Sequence, residues 1–241
     1  MSADQKTDFI FFDAFGTLFH FGDSANPASD FQRLLAENGV VAPIESARTA
    51  IATEMAYFRE RQRTVRTRDE LERLRVECAE IAIDALGGPE ACDLAPVRVA
   101  EILVETFPSV VFPDVEPAIQ LARSHGAGVG VLSNFSFMLP IILDDLQLLR
   151  LFDVVAVSAD LGFEKPDPAI FLEALRMADV EPRRAAHIGD NYEEDVQGAR
   201  SANVRVVLLD RSGQNHRDDV AVAADLIEAV ELLVGFPETA P

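Results

Sequence analysis

The stretch Phe9-Ile10-Phe11-Phe12-Asp13-Ala14-Phe15-Gly16-Thr17-Leu18 begins with four apolar residues and continues through a carboxylate into a turn. A continuous run of aromatic and β-branched residues that ends at a turn predicts a strand buried on both faces. In open α/β sheets, ligands bind beyond the carboxyl ends of the strands, and Asp13 occupies that position. An aspartate after a strand also commonly caps the turn that follows. Asp13 is therefore either a functional carboxylate or a turn residue.

Outward from this stretch, the chain has two regions with different patterns. Residues 27–107 carry apolar side chains at helical spacing, with no convincing strand, and residues 19–29 have the composition of a linker. From Val110 onward, short apolar strands alternate with helices, which implies right-handed βαβ units and a parallel sheet. We therefore predict an α/β fold: a Rossmann-like parallel sheet core formed by residues 1–19 and 108–241, with an inserted helical cap subdomain of residues 20–107.

The same patterns predict the individual elements. After the first strand we expect helices over 30–37, 43–63, 69–86 and 96–107 in the inserted region. In the core we expect strands over 128–132, 152–157, 185–188 and 204–209, and helices over 113–125, 139–148, 167–178, 194–202 and 224–233.

Composition restricts the classes of partner. The chain of 241 residues has a formal net charge of −20 and a pI near 4.4, so its surface repels nucleic acid and anionic membranes. We expect neither as a partner, and an anionic substrate would need local positive charge. Among the 21 basic residues only Lys6 and Lys165 are lysines, and Lys6 lies near the end of the chain. Lysine and arginine are not interchangeable at a tight site, so Lys165 is either a functional residue or a chance occurrence.

The cellular setting is predicted from the cysteines and the absence of long apolar runs. No run approaches the length of a membrane span, and residues 1–8 lack the pattern of a secretory signal. Cys78 and Cys92 form no metal-spaced pair and lie in a predicted helical region, which indicates free buried thiols in a reducing compartment. We expect a cytoplasmic protein that is a monomer or a homodimer.

Polar residues follow four of the predicted strands. Asp13, Ser133-Asn134 and Asp190 come at strand ends, and Lys165 lies in a loop shortly after another strand. The carboxyl ends of parallel strands meet at one edge of a sheet, so these groups can converge. Carboxylates, hydroxyl and amide donors and an ammonium group are the parts needed to transfer a phosphoryl group or another anionic fragment.

These four stretches resemble the four motifs of the haloacid dehalogenase (HAD) superfamily of hydrolases. The motifs are Asp13-Ala-Phe-Gly-Thr17-Leu, Leu132-Ser133-Asn134, Glu164-Lys165-Pro-Asp-Pro and His187-Ile-Gly189-Asp190-Asn-Tyr-Glu-Glu-Asp195. They occur in the order of that superfamily, and the helical insert after the first motif is similar to its C1-type cap. Four motifs in register favour the functional interpretation of Asp13 over the turn interpretation.

The resemblance implies a catalytic role for each matching residue. Asp13 would be the nucleophile that forms a covalent intermediate. Thr17 and Ser133 would hydrogen-bond the transferred group or the nucleophile, and Asn134 would donate to the substrate. Lys165 would neutralise negative charge on Asp13 and the substrate, and Phe15 would be a further substrate-binding residue.

The resemblance also implies a Mg²⁺ site. Its ligands would be Asp13, Asp190 and the backbone carbonyl of Phe15, with Asp195 either supporting the metal shell or pairing with Lys165. A hard cation prefers carboxylate and carbonyl oxygens, and two carboxylates brought to one site require a cation between them.

Phe15 departs from the pattern of the HAD phosphatases. They carry a second aspartate at this place, which protonates the leaving group, a contribution of about 10²–10⁴ in rate. Phe15 cannot transfer a proton, and the 2-haloacid dehalogenases also have an aromatic residue there. Candidates to replace the acid are His20, Tyr57, Arg59 and Arg61.

The fourth motif, in contrast, indicates the phosphatases rather than the 2-haloacid dehalogenases. Haloacid dehalogenases carry a Ser-x-Asn arrangement there and need no metal, whereas this chain has Asp190 and Asp195. We therefore predict a Mg²⁺-dependent phosphatase that acts on a small anionic substrate. The alternatives are a metal-independent 2-haloacid dehalogenase, which would grip its substrate through Arg59, Arg61 or Arg63, and a weakly catalytic binding protein on the same scaffold.

Overall fold

The chain divides into two compact units in the computed structural model, which describes residues 6–22, 26–214 and 217–235 apart from the side chain of Arg63. The first unit, here the sheet unit, comprises Met1–His20 and Val111–Pro241. The second, here the helical unit, comprises Phe21–Val110.

The sheet unit is built on six strands, all paired in parallel. They are β1 (Phe9–Phe12), β4 (Gly128–Ser133), β5 (Val154–Val157), β6 (Ala185–Gly189), β7 (Arg205–Leu209) and β8 (Ala221–Ala223), in the spatial order β5-β4-β1-β6-β7-β8. Two further strands, β2 (Phe19–Phe21) and β3 (Ser109–Val111), form a separate two-stranded sheet. The predicted α/β class with a parallel sheet is confirmed.

Helices cover both faces of the six-stranded sheet. They are α5 (Val115–Ser124), α6 (Leu139–Asp145), α7 (Ser158–Leu161), α8 (Pro168–Ala178), α9 (Gly198–Ser201) and α10 (Leu226–Val234). Alternate residues of β1 enter two different cores: Ile10 and Phe12 pack with α5 and α10, while Phe9 and Phe11 pack with α8 and α9. The opening strand is thus buried on both faces, because each of its side chains has a helical layer to pack against.

Four helices make up the helical unit: α1 (Pro27–Glu37), α2 (Ile44–Arg61), α3 (Arg68–Leu86) and α4 (Pro96–Thr106). Their apolar faces share one core that includes Phe31, Leu35 and Ile102. The Thr67 side chain accepts a hydrogen bond from the Glu70 backbone amide, and Glu70 reciprocates, which is a capping box at the start of α3. Gly87 follows α3 in the left-handed conformation, which glycine adopts readily at the end of a helix.

Several element predictions were wrong at short segments. Part of the predicted linker 19–29 forms β2, and β3 and the edge strand β8 were not predicted, since three residues are too few to show a strand period. The predicted helix 194–202 is instead a π-helical turn, Tyr192–Gln197, followed by α9. The predicted helix 139–148 ends at Asp145, α5 begins at Val115, and the strand predicted over 152–157 begins at Val154.

Within the described ranges, no helix combines the length and the apolar character that a membrane crossing would require.

Candidate active site

Three adjacent strands, β4, β1 and β6, present their carboxyl ends at the same edge of the sheet. Phe12, the last residue of β1, is in register with Val131 on one side and Ile188 on the other. Asp13 follows directly, and its backbone amide donates to the Ile188 carbonyl at 2.8 Å, which extends the pairing by one residue. Ser133 ends β4 and Asp190 follows β6, so the parallel topology brings these side chains together as expected.

Lys165 lies between two carboxylates in the buried part of this edge. Its Nζ donates to Asp13 Oδ1 at 2.7 Å and to Asp195 Oδ1 at 2.5 Å, and 1% of its side chain is exposed. Burial by itself would lower the pKa of Lys165, but the negative charges of Asp13 and Asp195 outweigh it, and the pKa is raised. The ammonium group is therefore charged, and one cation is shared by two buried anions.

Asp195 is held by donors on both of its oxygens. Oδ1 accepts from Lys165 and lies 2.8 Å from His187 Nε2, while Oδ2 accepts from the Asn191 backbone amide at 2.9 Å. An ionised carboxylate only accepts, so the geometry assigns a proton to His187 Nε2. Burial would raise the pKa of Asp195, but the bond from His187 and the charge of Lys165 hold it below its usual range.

Gly189 allows Asp195 to approach the end of β6. A Cβ at Gly189 would lie 2.2 Å from the carboxyl carbon of Asp195, so any side chain there would displace the carboxylate that holds Lys165. The glycine before Asp190 is thus required by packing against Asp195.

Asp13, Asp190 and Asp195 each offer a carboxylate oxygen to a cluster whose atoms all lie within 4.8 Å of one another. Asp190 is exposed as a residue, yet the partial burial of its carboxyl, with the negative charges of Asp13 and Asp195, raises its pKa to about 6. Gly16 has φ +84°, and a Cβ there would lie 2.3 Å from Asp190 Oδ2. Three carboxylates face one ammonium, an arrangement that suits a divalent cation.

Asn134 fixes the loop that carries Lys165. Its Oδ1 accepts from the Lys165 backbone amide at 2.7 Å, and its Nδ2 donates to the Lys165 carbonyl at 2.9 Å and to Glu194 Oε2 at 3.0 Å. The Asn134 side chain thus pairs with both the backbone amide and the backbone carbonyl of Lys165, as a neighbouring strand would. The substrate contact expected of Asn134 stays a prediction, and the geometry adds a structural task that the sequence did not indicate.

Two hydroxyl residues of the predicted site are buried. Ser133 is 2% exposed and Thr17 is fully buried. The Thr17 hydroxyl has no hydrogen-bond partner among the residues that the structure describes. Buried hydroxyl groups are generally paired, so an unpaired one in the turn after Asp13 is available to a bound group.

Phe15 presents a ring where HAD phosphatases have a carboxylate. The side chain is 41% exposed, and its ring meets that of Phe19 edge-on at a centroid distance of 5.9 Å. The role of its carbonyl as a metal ligand stays a prediction.

Three of the predicted substitutes for the missing acid, His20, Tyr57 and Arg61, contact an aromatic ring or a carboxylate in their own unit. The His20 ring packs on Phe112 with the centroids 4.6 Å apart. In the helical unit, the Tyr57 hydroxyl donates to Glu77 at 2.9 Å, and the Arg61 guanidinium lies 5.1 Å from the Tyr57 ring centroid. The Arg63 side chain lies outside the described part of the chain.

The sequence indicated a supporting rather than a catalytic role for His187, beside the fourth motif, and no role for two other contributors to this edge, Asn191 and Arg211. His187 and Asn191 both bond Asp195, and Arg211, from the loop after β7, donates to the carbonyl of Thr17. His187 carried a weak signal, since it alone is polar in the apolar strand β6. Arg211 carried no such signal.

Comparison with known proteins agrees with this geometry. The family model described as haloacid dehalogenase-like hydrolase matches residues 7–203. The chain therefore belongs to the haloacid dehalogenase-like hydrolases, and it is a hydrolase.

The individual relatives differ in how much of the chain they match. Haloacid dehalogenase-like hydrolase domain-containing protein 3 of Bos taurus is 39% identical over 127 residues, 51% of this chain and 50% of that protein. The chain thus spans about half the length of the relatives of this type. The glyceraldehyde 3-phosphate phosphatase of Methanopyrus kandleri is 29% identical over 196 residues, 80% of this chain and 83% of that protein.

Among solved structures, a 2-haloacid dehalogenase from Pseudomonas syringae is similar with a TM-score of 0.59 and 25% identity. The match covers 94% of this chain and 98% of that one. The fold is thus shared by phosphatases and dehalogenases, and the site residues must distinguish between them.

Proposed function

We propose that this hydrolase is a Mg²⁺-dependent phosphatase that acts on a small phosphorylated metabolite, with Asp13 as its nucleophile. The cluster of Asp13, Asp190 and Asp195, whose oxygens lie within 4.8 Å of one another, carries the proposal. The similarity to a phosphatase that the chain matches over 80% of its length supports it. The helical unit, in this proposal, is a C1-type cap that selects the substrate.

The donor set fits a magnesium ion. Asp13 and Asp190 supply carboxylate oxygens and Phe15 would supply its backbone carbonyl, the hard ligands that Mg²⁺ prefers. The raised pKa of Asp190 reflects crowding by negative charge that a bound cation would relieve. When bound, Mg²⁺ would neutralise charge on the phosphoryl oxygens. Both oxygens of Asp195 already accept hydrogen bonds, so we assign Asp195 to holding Lys165 at the edge of the metal shell.

The chain's own residues perform the transfer. Asp13 attacks phosphorus, the bond to the leaving-group oxygen breaks, and an aspartyl phosphate forms that water then hydrolyses. Lys165, fixed by Asp13 and Asp195, offers positive charge to the phosphoryl oxygens. The unpaired hydroxyl of Thr17, together with that of Ser133, donates to the same oxygens.

Phe15 restricts the leaving groups. With no carboxyl at this place, an alkyl phosphate loses a factor of about 10²–10⁴ that general acid catalysis would supply. Aryl and acyl phosphates have leaving groups that depart with little protonation. We therefore expect them to be the better substrates.

A panel of aryl, acyl and alkyl phosphates, assayed with Mg²⁺ and with EDTA, tests the proposal. We expect turnover of the aryl and acyl esters in Mg²⁺ only, and none by Asp13→Asn. Equal turnover in EDTA would contradict the metal requirement, and an active Asp13→Asn variant would contradict the covalent mechanism.

A second candidate function is metal-independent 2-haloacid dehalogenation. The ring of Phe15 favours it, because a halide leaves without a proton, and so does the similarity to a solved dehalogenase. The acidic pair Asp190 and Asp195 disfavours it. Halide release from 2-chloropropionate in the presence of EDTA would support this alternative, and its absence at high enzyme concentration would reject it.

A further inference from the structure

Arg211 joins three separate segments of the sheet unit. Its Nη1 and Nη2 donate to the two oxygens of Asp114 at 2.8 and 3.1 Å, and Nη2 also donates to the Thr17 backbone carbonyl at 2.9 Å. Asp114 in turn accepts from the Leu226 backbone amide at 2.8 Å, which ties the group to the start of α10. The turn that carries Thr17 is thus anchored to a helix of the core.

The same guanidinium packs on an aromatic ring. It lies 3.7 Å from the centroid of Phe112, whose other neighbours include the His20 ring at 4.6 Å. The Phe112 backbone amide donates to the Leu18 carbonyl at 3.1 Å. His20 is the last residue of the sheet unit before the helical unit, and Phe112 is the second after it. Arg211 therefore contacts the turn after Asp13 and the place where the chain returns to the sheet unit.

These contacts require the shape of an arginine. A planar guanidinium can bond a carboxylate through two nitrogens, donate to a carbonyl and stack on a ring at the same time. A lysine ammonium can replace the charge and some of the hydrogen-bond donors. It cannot bond a carboxylate through two nitrogens, and it has no planar group to stack on the ring. This difference provides a graded test.

We propose that Arg211 is a positioning residue that holds the Gly16-Thr17 turn, through the Thr17 carbonyl, in the geometry that the reaction of Asp13 needs. It bonds Asp114 and the Thr17 carbonyl, and it acts on the reaction of Asp13 through Thr17. The inference rests on the proposed function, because that function gives Thr17 its role at the phosphoryl group. Misplacing a reacting group by about 1 Å can cost on the order of 10²-fold in rate.

Arg123 offers a matched control in the same unit. Its Nη2 donates to the Leu151 carbonyl at 2.8 Å and to Asp153 Oδ1 at 2.9 Å, again a carbonyl and a carboxylate. Asp153 Oδ2 accepts from the Val129 amide near the start of β4, so this group lies at the amino end of the sheet strands. Replacing Arg123 removes similar bonds far from the turn.

The experiment compares Arg211→Met, Arg211→Lys and Arg123→Met with the unaltered chain, using p-nitrophenyl phosphate and Mg²⁺. We expect Arg211→Met to lower kcat by about 10- to 100-fold with KM changed less than about twofold, and Arg211→Lys to recover part of the loss. Arg123→Met should keep kcat within about twofold. Unchanged kcat in Arg211→Met, or equal losses in Arg211→Met and Arg123→Met, would overturn the proposal.

Hydrogen exchange of the backbone amides provides a readout that needs no substrate. Arg211→Met should speed the exchange of the Thr17 and Leu18 amides by at least about tenfold, and Arg123→Met should not. Unchanged protection of these amides would overturn the proposal. An unaltered chain that hydrolyses no phosphate ester refutes the proposed function, and the exchange rates then decide alone whether Arg211 holds the turn. If Arg211→Met does not fold, Arg211→Lys carries the same comparison with smaller effects.

Discussion

The sheet unit and the helical unit bury ionisable groups in opposite ways. In the sheet unit, Lys165 lies between the carboxylates of Asp13 and Asp195. In the helical unit, Glu54 is 8% exposed and its carboxyl hydrogen-bonds to the thiol of Cys78. Burial raises the pKa of Glu54, and burial together with the charge of Glu54 raises the pKa of Cys78 to about 12.

The two units therefore differ in where they tolerate a buried charge. At the sheet edge, opposite charges compensate one another, so the ionised forms persist in a buried place. In the helical unit, the hydrogen bond from Cys78 does not offset the loss of water, so burial favours the neutral carboxyl. The buried carboxyl of α2 therefore weakens the fold at neutral pH. Four substitutions or measurements separate these two situations.

The largest effect should follow the loss of Lys165. Lys165→Met leaves Asp13 and Asp195 buried without their shared cation, and breaking a buried pair typically costs about 3–5 kcal/mol. We expect the free energy of unfolding to fall by about that amount and phosphatase turnover to be lost. Urea denaturation measures the first and the ester assay the second. Lys6→Met, at the only other lysine, is the control, and a Lys165→Met variant as stable as that control would contradict the compensation argument.

Gly16→Ala should have the next largest effect. Gly16 and Gly39 have φ values of +84° and +89°, so alanine at either place costs about 1–2 kcal/mol of backbone strain. Only at Gly16 does the new methyl also meet the Asp190 carboxyl, since no atom lies within 4 Å at Gly39. We expect both variants to lose similar stability and only Gly16→Ala to lose turnover. Equal activity of the two would show that Asp190 tolerates displacement.

Glu54→Gln should stabilise the protein at neutral pH. The pKa of Glu54 is raised in the folded state, so the folded chain binds more protons than the unfolded chain above the ordinary glutamate pKa of about 4.3. The contribution of Glu54 to stability therefore falls as the pH rises through this window and is restored on acidification. We expect the variant to be more stable at neutral pH, with the gain shrinking toward about pH 4.

Urea denaturation across this pH range measures the difference between Glu54→Gln and the unaltered chain. Glu60→Gln, an exposed position in the same helix, provides the control and should show no such trend. A gain in stability that is the same at every pH would mean that the effect is not electrostatic.

The smallest effect concerns the thiols. Cys78 and Cys92 are free and buried, and the raised pKa of Cys78 leaves almost no thiolate near neutral pH. A thiol reagent should react slowly with the folded protein and quickly with both cysteines in urea. A rapidly reacting thiol in the folded state would show that the helical unit opens locally.

Much of the candidate site could be predicted from the sequence because several of its residues directly follow apolar strands, which the hydrophobic pattern indicates. Asp13 follows a strongly apolar strand, Asp190 follows another, and parallel topology requires their ends to meet. Lys165 was marked by the rarity of lysine in this chain. The helices of the helical unit were predicted with errors of a few residues, since their apolar side chains recur at helical spacing.

The parts that were missed have no local signal. Strands β2, β3 and β8 have three residues each, and they are strands only because a partner lies beside them. The π-helical turn at Tyr192–Gln197 places Asp195 where Lys165 and His187 reach it, a contact made across 30 residues of chain for Lys165. Hydrogen bonds of this kind depend on where distant segments meet.

The sequence by itself determined the class of fold, which strands are followed by polar residues and which chemical groups those residues bring to the sheet edge. These follow from hydrophobic period and chain connectivity, which are local properties. Tertiary structure alone decided that one ammonium serves two carboxylates, that Asn134 holds the Lys165 loop and that Arg211 holds Thr17. Directional bonds need distances and angles that only the packed sheet and its helices provide.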